Sequence, residues 1–80
     1  MFYIYILKSL KDQRTYIGYT SNLVKRLTKH KTGQAKATKY RLPMKLIFTE
    51  AFQTAREAKK RERWWKSGAG RRKLKEIFDR

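Results

Sequence analysis

No cysteine occurs anywhere in the 80-residue chain, and at this length that absence decides what the fold can rest on. A disulfide framework, a thiolate zinc site and a cysteine nucleophile are all excluded. His30 is the only histidine, which leaves no histidine-rich metal cluster either. A chain this short buries only about three fifths of the surface its unfolded form exposes, so its apolar packing must gather into one thin core. Composition allows such a core. With 40% hydrophobic and 14% aromatic residues, the chain is too apolar for a disordered basic tail. One domain spanning residues 1–80 is expected, with no room for a deep small-molecule cofactor pocket.

Charge narrows the partner. Lys and Arg number 22 against 6 Asp and Glu, a net +16, and the pI is about 10.6. A solvated, salt-bridged surface would need acids to match the bases. The excess points to a polyanion, with nucleic acid ahead of an anionic membrane or an acidic protein. No apolar run approaches the roughly 18 residues of a membrane span. The start, Met1 to Leu7, is apolar at once with no basic leader, so a cytoplasmic protein is expected. Such charge gives affinity for phosphates but neither chemistry nor sequence specificity.

Hydrophobic periodicity divides the chain into short elements. Phe2 to Leu7 reads as a strand, Lys8 to Arg14 as a turn holding Asp12, and Thr15 to Thr20 as a second strand pairing with the first. Ser21 offers an N-cap for a helix from Asn22 to about Lys31, striped by Leu23, Val24 and Leu27, with Gly33 as its stop. Gln34 to Leu42 has no periodicity and carries Lys36, Lys39 and Arg41; a basic loop of this length in so small a domain is more often functional than idle. After Pro43 come a strand, Lys45 to Ala51, and a helix, Ala55 to about Lys66. Ser67-Gly68-Ala69-Gly70 breaks that helix, and a last one, Arg71 to Phe78, turns Leu74, Ile77 and Phe78 inward. The expected class is α/β (α+β): a three-stranded antiparallel sheet flanked by helices, in the order β-β-α-β-α-α.

Several residues stand out against this background. Ala51, Ala55, Ala58, Glu62 and Trp65 fall on one helical stripe with Glu62 at its centre, while Glu57 points outward. A carboxylate there requires a cation. A buried ion pair with Lys or Arg and a hard-metal site for Mg²⁺, completed by water and phosphate, weigh equally on position alone. Arg26 and His30, spaced i, i+4, flank the first helix's apolar stripe, where each taken singly is more often solvated than functional. Tyr3 and Tyr5 share a face of the first strand, and Tyr16 and Gly18 a face of the second. Strand tyrosines usually pack; a strand glycine often marks close approach of a ligand or backbone. The segment Lys66 to Arg71 suits either a helix–helix turn or a phosphate held by backbone N–H groups with Arg71 or Arg72.

Taken together these residues resemble the GIY-YIG nuclease superfamily in its small, single-domain bacterial form. Tyr3-Ile4-Tyr5 stands where the GIY triplet is expected, and Tyr16-Ile17-Gly18 is a literal YIG about ten residues later. Thr20-Ser21-Asn22-Leu23, followed by Arg26 and His30, resembles the next segment, and Ala55 to Leu74 resembles the C-terminal half. Two positions depart: Tyr3 replaces the first glycine, and the only asparagine, Asn22, lies too early for the late asparagine of some members. The resemblance implies a DNA endonuclease, in repair or recombination, that hydrolyses phosphodiesters with one divalent metal, Mg²⁺ or Mn²⁺. It implies Tyr5 and Tyr16 as active-site tyrosines, with Tyr5 accepting the attacking water's proton directly or through another water. Arg26 would be the catalytic arginine, His30 its companion and Glu62 the metal ligand. Gly18, Lys36, Lys39, Arg41 and Arg71 are the candidate DNA-binding residues. DNA is the expected partner of a monomer or weak dimer, with no membrane and no small-molecule cofactor. The alternative is a non-catalytic nucleic-acid-binding protein that retains the fold.

Overall fold

β-Branched and aromatic residues concentrate in three stretches, and each becomes a strand. In the computed structural model, which describes residues 1–78, β1 spans Phe2–Ser9, β2 Thr15–Thr20 and β3 Met44–Phe52. β1 is central, in the order β2-β1-β3, and both neighbours run antiparallel to it. The helices are α1, Leu23–Lys31, α2, Ala55–Lys66, and α3, Gly68–Phe78, which completes the order β-β-α-β-α-α.

Alternation along β1 assigns side chains to two faces. Ile4 and Ile6, with Ile17 of β2, meet Ala58 and Trp65 of α2 and Leu74 of α3; all six are buried and form the core. Phe48 of β3 closes it edge-on against Trp65, ring centroids 5.5 Å apart. Tyr5, Leu7 and Ser9 point to the opposite face and are buried too. There Tyr5 meets His30 of α1, and Ser9 meets the carbonyl of Arg41 in the segment 34–42. Cover on both faces is why β1 reads as a continuous apolar run rather than a half-solvated alternation.

The structure departs from the sequence reading mainly at helix ends. Asn22, not Ser21, caps α1, its side-chain oxygen accepting the Lys25 N–H at 3.1 Å. Val24 is 77% exposed, because α1 turns His30 inward instead. The expected four-residue break after α2 shrinks to Ser67, since α3 already begins at Gly68. Gly70 is buried where a Cβ would collide with the Trp64 carbonyl oxygen and the Trp65 backbone, so it lets α3 fold tightly back onto α2. Ile77 is 42% exposed; Leu74 and Phe78, four residues apart, take the inward seam. β1 runs on to Ser9, whose buried hydroxyl accepts the N–H groups of Lys11 and Asp12 and donates to the Arg41 carbonyl at 2.6 Å.

Candidate active site

A wholly buried histidine needs partners for both ring nitrogens. His30, 1% exposed, has them: Nε2 lies 3.0 Å from the Tyr5 hydroxyl and Nδ1 2.7 Å from the hydroxyl of Thr38, itself buried. Arg26, one turn earlier on α1, donates from Nε to the same Tyr5 oxygen at 3.1 Å. A guanidinium only donates, so Tyr5 accepts from Arg26 and keeps both its own O–H and a second lone pair for the bond to Nε2, whose direction follows the imidazole tautomer. The bond between Nδ1 and the Thr38 hydroxyl takes the complementary direction in the neutral ring. The result is one series: Arg26, Tyr5, His30, Thr38.

Tyr16 completes the cluster. Half-buried on edge strand β2, its ring centroid lies 6.3 Å from that of Tyr5 and 5.1 Å from that of His30. Gly18 pairs across the sheet with Tyr5, and a Cβ on it would sit 2.5 Å from the Tyr5 hydroxyl oxygen and 2.7 Å from Cζ. The close approach that this glycine permits is therefore by the Tyr5 ring, and not by a substrate as the sequence reading had it.

Electrostatics divide the roles further. Burial, followed by the nearby Arg26 cation, pushes His30 below its ordinary value and so favours the neutral imidazole. Burial also pushes Tyr5 up, outweighing the hydrogen bond from Arg26. The cations around Tyr5 therefore do not bring its pKa below the ordinary phenol value. Tyr5 is also 0% exposed, which closes it to direct contact with solvent water; Tyr16 is the phenol at the surface. Arg26 is held firmly cationic, first by its hydrogen bond to Tyr5 and also by Tyr16.

Glu62 stands outside this hydrogen-bonded series, on α2, which covers the other face of the sheet. Its side chain is 22% exposed, and the carboxylate makes a loose i, i+4 pair with Lys66 Nζ at 3.7 Å. The tighter carboxylate pair beneath α2 belongs to Glu50, which the sequence reading passed over. Glu50 Oε1 accepts from Arg61 Nε and Trp65 Nε1, each at 3.0 Å.

The basic segment 34–42 is tied down rather than open. Arg41 gives its guanidinium to Asp12 at 3.1 Å, which ties the segment to the β1–β2 turn. Lys36 and Lys39 are exposed, Lys39 lying over the Tyr40 ring. Arg71, on the first turns of α3, borders a groove beside Tyr16. The backbone phosphate site considered there is occupied by Ser67, whose Oγ accepts the Gly70 N–H and whose carbonyl accepts that of Arg71.

A three-stranded antiparallel sheet with three helices, and a Tyr–His–Arg cluster between its central strand and α1, define a small α+β domain. The chain matches the GIY-YIG catalytic domain model over residues 1–75. It is 47% identical over 78 residues to the UPF0213 protein SSP2268 of Staphylococcus saprophyticus, covering 96% of this chain and 94% of that protein. To the UPF0213 protein YazA of Bacillus subtilis it is 44% identical over 77 residues, covering 95% and 75%. The solution NMR structure of the UPF0213 protein BH0048 from Bacillus halodurans, 36% identical, matches with a TM-score of 0.57 over 98% of this chain and 86% of that one. The chain belongs to the GIY-YIG family of nuclease domains.

Proposed function

We propose that this protein is a DNA endonuclease that hydrolyses phosphodiesters with one divalent ion, Mg²⁺ or Mn²⁺, held at Glu62, in repair or recombination. The observation that carries the reading is the unbroken series Arg26–Tyr5–His30–Thr38 within a nuclease-family domain. Arg26 is anchored through Nε, and its terminal N–H groups are left to neutralise charge developing on the phosphate. The attacking water loses its proton toward Tyr16, the phenol at the surface. Tyr16 passes its own proton on to Tyr5 as it takes the water's, and Tyr5 passes its own to Nε2 of a His30 ring protonated on Nδ1. Because Tyr5 is held as a phenol by burial, a relay fits where a free phenolate would not.

Among the described residues no three His, Asp or Glu side chains converge as a metal cage. One carboxylate completed by water and substrate phosphate is a donor set that suits Mg²⁺. The exposed Lys66 contact is of a kind worth about 0.3–0.5 kcal/mol, weak enough for a dication to displace. When bound, the ion supplies Lewis-acid neutralisation of phosphate oxygens.

The test is nicking of branched and flapped DNA with and without Mg²⁺ or Mn²⁺, by wild type and Glu62→Gln. Metal-dependent nicking is expected in the wild type and abolished in the variant, with thermal stability within about 0.5 kcal/mol. Marked destabilisation with the metal response intact would make Glu62 structural. Absence of cleavage on every substrate in either metal would leave a non-catalytic nucleic-acid-binding domain.

A further inference from the structure

Between the β1–β2 hairpin and α3 lies a groove of about 640 Å³. Arg14, Lys66, Arg71 and Lys75 stand around it, Ile17, Leu74 and Phe78 form its apolar floor, and Tyr16 borders it. Among the described residues no carboxylate lines it. Arg71 and Lys75 are spaced i, i+4, so they project from one side of α3, about 6 Å apart along its axis. Arg14 reaches in from the opposite wall. Like charges gathered this way repel, and that repulsion is relieved when a polyanion lies among them.

The volume falls in the range of ordinary ligand clefts, about 300–1,000 Å³, which admits a short length of one nucleic-acid strand rather than a duplex. Cations along the walls over an apolar floor, with a tyrosine at the border, are what single-stranded nucleic acid binds. We propose that this groove holds the unpaired DNA strand next to the scissile phosphate, delivering it to Tyr16, so that the preferred substrate is a flap or branch with a single-stranded arm. This rests on the nuclease reading above and extends it to the choice of substrate. Of the DNA-binding candidates Gly18, Lys36, Lys39, Arg41 and Arg71, Arg71 alone lines this groove.

The experiment compares two triple variants that remove equal charge. One is Arg14→Gln/Arg71→Gln/Lys75→Gln in the groove; the other is Arg56→Gln/Lys60→Gln/Arg63→Gln on the exposed side of α2. Binding of an oligothymidylate is measured across a salt series, alongside nicking kinetics on flapped DNA. The groove triple is expected to weaken binding by about tenfold or more and to raise KM far more than it lowers kcat. Its log–log salt slope should fall by about 0.7 for each phosphate no longer neutralised. The α2 triple should change binding by less than about threefold. On the unmodified protein, amide shifts on oligothymidylate addition should centre on residues 14–17 and 71–75. Inorganic tripolyphosphate at equal phosphate concentration should fail to displace the oligonucleotide.

Equal losses from both triples, shifts centred elsewhere, or displacement by tripolyphosphate would overturn the proposal. If wild type binds oligothymidylate through the groove yet cleaves no DNA, the nuclease reading fails and the groove stands. If it nicks flapped DNA while the two triples behave alike, the groove fails alone.

Discussion

Gly18 and Tyr5 face each other across two strands, and the space above the glycine belongs to the tyrosine. The Tyr5 hydroxyl cannot yield to a new Cβ, because Arg26 and His30 hold it and the ring is enclosed. Gly18→Ala should therefore cost about 1–3 kcal/mol through overpacking, read as a lower urea midpoint with unchanged m. Nicking should fall with it, since the hydroxyl moves off Nε2. Unchanged stability would mean that the ring swings freely and that the series is not rigid. At this scale the sequence was informative about identity and silent about contact. The YIG triplet marked Gly18 as a site of close approach, yet nothing in it named Tyr5 as the group approaching. Likewise the i, i+4 spacing of Arg26 and His30 showed a shared helix flank, but burial of His30 depends on what the sheet presents beneath it.

Among the elements, the segment 34–42 has a role that its composition hid. Its three basic residues suggested phosphate contacts, but its anchors are Thr38 on His30, Arg41 on Asp12, the Arg41 carbonyl on Ser9 and the Tyr40 carbonyl on Lys11. It acts as a buckle that holds the imidazole. Thr38→Val keeps the shape but leaves the buried Nδ1 unpaired, a loss of about 1–3 kcal/mol, and frees the ring from its hydroxyl anchor. Nicking should drop, and Thr38→Ser should restore most of it, because the hydroxyl alone carries the function. A valine variant with full activity would remove Thr38 from the relay. No sequence signal could have singled out this threonine: its partner lies on another element, and it shows only once the chain turns back at Gly33, where φ is +79°. On α2 the legible part was larger. The helical wheel placed Glu62 among inward-leaning positions, and its side chain is mostly covered. Glu50 escaped notice because a strand carboxylate acquires meaning only from the helix laid across it.

Over the whole molecule, affinity and rate draw on different sets of residues. The chain carries 22 basic residues, so binding to DNA is a collective property that no single cation controls. The element order was readable from apolar patterning, because each strand and helix had its own period. The groove beside α3 was not, since Arg14 and Arg71 converge only in the folded chain. Rate, by contrast, should hang on one guanidinium. Arg26 is anchored on the buried Tyr5, whereas its neighbour Lys25 is exposed on α1. The decisive measurement is a paired gel-shift and nicking assay on wild type, Arg26→Ala and Lys25→Ala. Losing a positioned transition-state donor should lower the nicking rate by about a hundredfold to a thousandfold. Affinity should stay within a few-fold of wild type in both variants, and Lys25→Ala should nick normally. If both variants lose the same small amount of affinity and activity, Arg26 is one more surface charge and the active-site account is wrong.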